Sequence, residues 1–411
     1  MRRMIAAMAA MVAFGGAALA QASAEDRAES RAEDLQAFAA FVDQFRIDAV
    51  AAGIDPALYD REMSTAAPLP TVRRAQDNQP EFVKPMWDYV DRATSAARIK
   101  GGREGFSEAE AILRDVSAAY GVEPEALVAI WGMESSYGRF MGDTDVLSAL
   151  GTLAYKGGRQ DFGRNQLIAA LRILQEGYAT RDTLKGSWAG AMGQTQFIPT
   201  TYLGHAVDHD GDGDKDIWSD HGDVFASTAN YLAKSGWRAE LPWGFEVRLP
   251  DGFEYALAER SVKRSVGDWL TMGVEAGEGS VSERIDLNER VSIILPAGAS
   301  GPAFLITDNF RAILRYNNST AYALGVAKLS DAVAGRETAL VQDWPRGDRP
   351  LSRAEKIALQ QALLDGGYQP GPVDGIVGAG TRRALRAWQR DVGLPADGYA
   401  SAAVLERLRG A

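Results

Sequence analysis

Gly186-Ser187-Trp188-Ala189-Gly190-Ala191-Met192-Gly193-Gln194-Thr195-Gln196-Phe197-Ile198-Pro199 says most about this chain of 411 residues. No residue in it is charged, and small residues alternate with neutral hydrogen-bonding ones. Gly190, Ala191 and Gly193 leave room for the backbone to approach a bulky ligand closely. Ser187, Gln194 and Gln196 offer uncharged donors and acceptors suited to hydroxyl and amide groups, and Phe197 offers a stacking face. The segment reads as a neutral, amide-rich binding loop.

Working outward, Gly132-Met133-Glu134-Ser135-Ser136-Tyr137-Gly138 lies upstream and Arg315-Tyr316-Asn317-Asn318-Ser319 downstream. Pro124 suits the first turn of a helix that carries Leu127, Val128, Ile130 and Trp131. Glu134 follows Ile130 by four residues and Trp131 by three, which places it on the apolar face. Desolvation there favours the protonated carboxyl, the state a general acid needs near neutral pH. A surface Glu at a fraying helix end would have polar neighbours at those spacings.

A lone Glu, a Gly/Ala-rich segment ending in Gln-Phe-Ile-Pro and a Tyr-Asn pair, in that order, resemble the membrane-bound lytic transglycosylase B family over roughly residues 35–345. The resemblance implies a mainly α (α+β) fold, with a lysozyme-like catalytic domain acting on the glycan strands of peptidoglycan. It implies that Glu134 first protonates the bridging oxygen between N-acetylmuramic acid and N-acetylglucosamine. As a carboxylate it then takes the proton of the muramyl C6 hydroxyl, which closes a 1,6-anhydro ring without water or cofactor. Ser187, Gln196, Phe197, Tyr316 and Asn317 would line the cleft, joined on a looser match by Tyr89 and Tyr231.

Glycoside hydrolysis normally takes two carboxylates, and neither the binding loop nor the Tyr-Asn motif supplies a second. A hydrolytic muramidase pairing Glu134 with Asp143 or Asp145 is the enzymatic alternative. A non-catalytic wall-binding scaffold is the other, although a scaffold has no need of a buried acid beside sugar-binding groups.

Residues 208–219 read Asp-His-Asp-Gly-Asp-Gly-Asp-Lys-Asp-Ile-Trp-Ser. Asp208, Asp210, Asp212, Asp214 and Asp216 occupy alternate positions, as in an EF-hand calcium loop with glycine at its sixth place. Ser219 stands where the bidentate Glu is expected, and the resemblance points to Asp223 as the displaced acidic ligand. A structural Ca²⁺ is therefore expected, against the bland reading of a solvated acidic turn. Three histidines and no cysteine leave a catalytic zinc site little to build on.

Met-Arg-Arg, an apolar run from Met4 to Leu19 and small residues at Ala18, Ala20 and Ala22 make residues 1–22 a cleavable secretion signal. Without cysteine there are no disulfides and no thiol for a lipid anchor, so a soluble periplasmic protein without membrane attachment is expected. A net charge of −11 and the lack of a basic stripe exclude nucleic acid as partner, and no protein partner is implied.

Residues 23–34 read as a charged leader. Helical spacing runs from Leu35 to Val50 and over about 108–120, 124–136, 160–177, 223–235 and 309–333, with β-branched runs at 245–249, 291–295 and 303–306 forming an inserted sheet. The catalytic domain is thus bounded at 35–343, and residues 344–350 read as a linker. Residues 351–410 resemble a three-helix peptidoglycan-binding bundle. Its internal echo sets Asp374-Gly375 and Asp397-Gly398 before helices that Thr381 and Ser401 would cap, with helix-borne Gln360 and Gln389.

Overall fold

The structure, a computed structural model, describes residues 31–77, 85–336 and 339–410, so the secretion signal expected at 1–22 lies outside the described residues. The described residues fall into two compact units: 31–77 with 141–204, and 85–140 with the described part of 205–410.

The first unit is built on helices. Residues 31–51 are helical, so residues 31–34, assigned to the leader, belong to the first helix. Phe38, Phe41 and Phe45 share one face of it, and the Phe38 ring meets Tyr155 edge-on at 5.7 Å. Helix Val146–Tyr155 is buried along nearly its whole length, and Asp145 caps it by accepting from the Ser148 amide at 2.8 Å. Gly163 lets helix Gln160–Gln175 cross it closely, since a Cβ there would sit 2.3 Å from the Ala154 nitrogen. A short ladder pairs Thr144–Asp145 with Lys185–Gly186 and anchors the start of the binding loop.

The second unit packs helices around Pro124–Ser135. Glu123 and Pro124 start that helix, and every residue from Ala126 to Gly132 is buried. With no polar face, it must be covered on all sides, and helices Ala96–Glu108, Glu110–Tyr120, His221–Lys234 and Thr320–Val333 do so. Because every position from Ala126 to Gly132 is buried, the apolar-face argument for Glu134 does not discriminate among positions of this helix. Strands Gly244–Arg248, Arg290–Ile294 and Ala303–Ile306 appear within one residue of expectation. Two-residue edges, Arg264–Ser265 and Glu275–Ala276, complete an antiparallel sheet over Trp269 and Phe253.

The helical pattern at 309–333 breaks into Asp308–Tyr316 and Thr320–Val333, with Asn317 extended at φ −144° and Ser319 capping the second helix. Propensity alone does not separate the two, because Asn and Ser are tolerated in helices but prefer caps.

Helices Arg353–Asp365, Ala379–Asp391 and Ala402–Gly410 close on Leu359, Leu363, Leu385, Trp388 and Leu405. The sequence echo is physical. Gln360 accepts from the Gly375 amide and Gln389 from the Gly398 amide, each at 2.8 Å, so a buried glutamine holds each Asp-Gly turn. Thr381 lies inside its helix and donates to the Pro370 carbonyl rather than capping; Gly378 occupies the cap. Segment 344–350 is pinned rather than free. Trp344 is buried against Trp87 and Phe304, and Arg346 pairs with Asp91 at 2.7 Å. Buried Arg386 pairs with Glu259 beside the sheet, and Asp397 accepts from the Ala299 amide at 2.7 Å. No helix among the described residues is long and apolar enough to cross a membrane.

Gly101, Gly102 and Gly105 sit mid-helix, where glycine costs about 1 kcal/mol each relative to alanine. They receive the rings of Tyr137 and Trp131, as does Gly132, whose added Cβ would come 2.6 Å from the Tyr137 ring. Gly132→Ala should lower stability by about 1–3 kcal/mol in denaturant unfolding. An unchanged midpoint would mean that Tyr137 is not held in this nest.

Candidate functional site

Glu134 sits in the last turn of Pro124–Ser135, and the chain then leaves through three successive residues with positive φ: Ser136 (51°), Tyr137 (62°) and Gly138 (76°). Two of these are not glycine, so local strain is held by partners. Ser135 donates to the Trp131 carbonyl at 3.2 Å and accepts from the Gly138 amide at 3.0 Å. The Tyr137 hydroxyl donates to the Arg98 carbonyl at 2.6 Å, and the Arg98 guanidinium donates to the Gly132 carbonyl. The turn behind the carboxyl is thereby locked.

The carboxyl itself meets one hydrogen-bond donor, the Tyr322 hydroxyl, at 2.5 Å from Oε1. Burial pushes its pKa up to about 7, and the Tyr322 bond opposes that only in part. Its position at the negative end of the helix acts in the same direction as burial. Among the described residues no charged group is a cause of the Glu134 shift. Tyr89, Tyr316 and Tyr322 gather around it, their phenol pKa values raised first by burial and then by the charge on Glu134. Tyr231 stands edge-on to Tyr316 at 4.9 Å and donates to the Arg315 carbonyl at 2.6 Å. Asn317 is exposed in the break between the two helices. An acid whose proton is held to higher pH than usual thus lies among tyrosine side chains.

Ser187, Gln196 and Phe197 belong to the loop of the first unit. Ser187 accepts from the amides of Ala191 (3.0 Å) and Ala189 (3.3 Å), which leaves its hydroxyl proton to donate elsewhere. Gln196 adopts φ 51°, and its amide donates to the carbonyls of Met141 (3.0 Å) and Gly193 (2.9 Å), so its side-chain oxygen is presented in a fixed direction. Phe197 is 2 % exposed and offers no open stacking face; mutual hydrogen bonds between Phe197 and Met192 instead fold the loop back on itself. The small residues also serve the loop more than a ligand. A Cβ on Gly186 would lie 2.1 Å from the Ala191 oxygen, and one on Gly190 would lie 2.6 Å from Leu150.

In the acidic loop, oxygens of Asp208, Asp210 and Asp212 lie within 4.8 Å of one another; Asp214 and Asp223 are not part of that cluster. Asp223 is buried, its pKa raised to about 6 by burial, and its two oxygens accept from the His209 and Asp216 amides at 2.6 Å each. It clasps the two ends of the loop, a use that sequence spacing alone cannot separate from ligation. Asp214 is pushed up by slight burial and by the charges of Asp212 and Asp216. The three crowded carboxylates, which also accept from the Gly211, Asp212 and Gly213 amides, form a hard oxygen set of the kind that suits Ca²⁺.

Sequence reasoning missed Tyr322 and Arg98. Tyr322 lies in a helix with Ala323, Leu324 and Val326, where an aromatic reads as core, and only its distance from Glu134 reveals its task. Arg98 looks like a surface cation until the fold sets it beneath a helix end. Asp145, the alternative second carboxylate, is held by Arg181 at 2.6 and 2.9 Å besides its capping bond.

Residues 37–331 match a transglycosylase SLT domain, and residues 352–408 a peptidoglycan binding domain. The chain is 32 % identical over 298 residues to membrane-bound lytic murein transglycosylase B of Escherichia coli K12, covering 69 % of this chain and 79 % of that protein. SltB3 from Pseudomonas aeruginosa, crystallised with NAG-anhNAM-pentapeptide, is 51 % identical and superposes with a TM-score of 0.87 over 90 % of this chain and 99 % of that one. Escherichia coli Slt35, solved in complex with calcium, is 30 % identical with a TM-score of 0.62, covering 71 % and 92 %.

With its folded pKa near 7, above the ordinary 4.5, Glu134 makes the native state lose stability as pH rises through that window. Glu134→Gln, neutral throughout, should therefore melt at about the wild-type temperature at pH 4 and a few degrees higher at pH 8. A variant less stable at pH 8 would show that the carboxylate is not disfavoured.

Proposed function

The chain belongs to the transglycosylase SLT domain family, and from that premise we infer that it is a lytic murein transglycosylase. It cuts the β-1,4 bond between N-acetylmuramic acid and N-acetylglucosamine and leaves 1,6-anhydromuramyl ends. The observation that carries this reading is a single buried acid, Glu134, whose carboxyl accepts from the Tyr322 hydroxyl and whose pKa burial raises.

Glu134 in its protonated form gives its proton to the glycosidic oxygen as the bond to C1 breaks. The carboxylate left behind is held by the Tyr322 hydroxyl, which prevents a bare buried charge. It then takes the proton from the C6 hydroxyl, whose oxygen attacks C1. Because the nucleophile belongs to the same sugar, effective molarities of about 10⁵ M or more favour ring closure over water. The engagement of Asp145 with Arg181 supports this course over the two-carboxylate hydrolysis.

Ser187, Gln196, Tyr316 and Asn317, with Tyr89 and Tyr231, are proposed to bind the glycan through neutral hydrogen bonds and ring faces. Phe197, buried, closes the loop through its backbone bonds with Met192. We place the catalytic domain at 35–343 and the wall-binding bundle at 351–410, joined by 344–350. Residues 1–22 direct export to the periplasm. Catalysis takes no cofactor, while Asp208, Asp210 and Asp212 are proposed to hold a structural Ca²⁺, with Asp214 and Asp223 shaping the loop.

The alkaline limb of kcat/KM should fall near pH 7, since the free enzyme must carry the proton on Glu134. Glu134→Gln should cut turnover by roughly 10²-fold or more. Tyr322→Phe removes a bond that favours the carboxylate and should move the limb to higher pH; a shift downward would contradict the assigned hydrogen bond.

Muropeptides released in ¹⁸O-labelled water should carry unlabelled anhydromuramyl ends. Labelled reducing ends as the main product would favour the muramidase.

Ca²⁺ at a hundredfold excess over its Kd should add about 2.7 kcal/mol of stability. Asp210→Ala with Asp212→Ala should abolish the rise in melting temperature, and a melting curve insensitive to chelator would reduce the loop to an acidic turn.

A further inference from the structure

The C-terminal bundle builds the same turn twice. In each copy a helix-borne glutamine accepts from the glycine amide of an Asp-Gly pair at 2.8 Å. Its own amide donates to Oδ1 of the aspartate, at 3.3 Å from Gln360 to Asp374 and 2.7 Å from Gln389 to Asp397. The same Oδ1 accepts from the amide two residues on, Ile376 at 2.8 Å and Tyr399 at 2.9 Å. Both glycines have positive φ, 78° and 71°, and both lie against the arginine that precedes the glutamine by seven residues, Arg353 or Arg382. Asp374 and Asp397, Ile376 and Tyr399, and Arg353 and Arg382 are thus structural equivalents.

The second copy shows what such a turn grips. Oδ2 of Asp397, which the glutamine leaves free, accepts from the Ala299 amide at 2.7 Å. Tyr399 covers Gly298, where a Cβ would come 2.8 Å from the tyrosine Cβ. Arg386 pairs with the Glu259 carboxylate, and Arg382 approaches it to 4.0 Å, so Glu259, Gly298 and the turn line one recess. The gripped element is a small residue at φ 73°, followed by an amide donor and flanked by a carboxylate. An L-residue is strained at that φ, whereas glycine, and a D-residue by mirror symmetry, adopts it freely.

The first copy presents the same groups to solvent. Oδ2 of Asp374 makes no bond among the described residues, and Ile376 is 68 % exposed. Arg353 is exposed and donates to the Asp374 carbonyl at 3.4 Å. We propose that this turn is a binding site for a peptide terminus of the D-alanyl-D-alanine type. Oδ2 of Asp374 accepts the amide between the two residues, Ile376 covers the first of them, and Arg353 pairs with the terminal carboxylate. The inference rests on the wall-binding reading of the bundle and names what is held there, a D-residue of the wall peptide rather than the glycan. The site lies on the bundle, apart from Glu134.

The test uses the full-length chain carrying Glu134→Gln, labelled at isoleucine methyl groups, with the Ile376 signal assigned by Ile376→Val. Titration with diacetyl-Lys-D-Ala-D-Ala should shift that signal, and the L-Ala-L-Ala diastereomer should bind at least about tenfold more weakly. Asp374→Asn keeps Oδ1 for the bonds within the turn but replaces the Oδ2 acceptor with a donor. It should weaken the response roughly tenfold, as expected for one lost bond to a charged group. Asp397→Asn, at the turn already filled, should leave the Ile376 titration unchanged. A silent Ile376 signal, equal responses to the two diastereomers, or equal losses from the two Asn variants overturns the site. Sedimentation of the Glu134→Gln chain with intact sacculi is scored separately. Its absence would sink the wall-binding reading, whereas sedimentation without an Ile376 response would sink the peptide site alone.

Discussion

A carboxyl group taken out of water and given one phenolic hydroxyl as partner is the constraint around which the second unit is arranged. The pKa near 7 follows from burial with too little compensation, and every nearby element works to keep it so. The helix that carries Glu134 has no wet side, so four other helices must cover it. One of these begins at Ser319 after the Asn317–Asn318 break, which sets Tyr316 at the end of one helix and Tyr322 at the start of the next. A continuous helix through 309–333 would carry both on one rod, without the turn that directs them toward one carboxyl.

Stability is given up locally to hold this arrangement. Three glycines mid-helix and two non-glycine residues at positive φ are each unfavourable by about a kilocalorie per mole. Tyr137 ties these features together. Its ring fills the glycine nest, its hydroxyl bonds to the Arg98 carbonyl, and Arg98 returns a bond to the helix end. The first unit uses the same device on a smaller scale, where Gln196 at φ 51° is braced by two carbonyls so that its free oxygen points one way.

Much of this was legible before any coordinates. The order of three motifs identified the family, and the three longer strands fell within a residue of expectation, because turn residues and β-branched runs are local signals. Glu134 stood out as a candidate because it is the lone carboxylate in its motif. Tyr322 could not, since an aromatic among alanines and leucines has the signature of a core residue and becomes functional only through a contact 188 residues away in sequence. Phe197 failed the other way: its motif suggested a surface, while packing placed it at 2 % exposure. Asp223 was readable as acidic and near the loop, but only the fold reveals that its oxygens already serve two amides.

The bundle at the C-terminus deserves a mechanical description. Trp344, the Arg346–Asp91 pair and the buried Arg386–Glu259 contact fasten it to the body at several points, and its second Asp-Gly turn is itself part of the seam. A wall-gripping element mounted this way behaves as a jig. A tethered one would search a volume set by its linker, so grip and cut would be related only statistically. A jig relates them by a fixed vector, so the spacing along a polymer between the point held and the bond presented becomes a property of the fold.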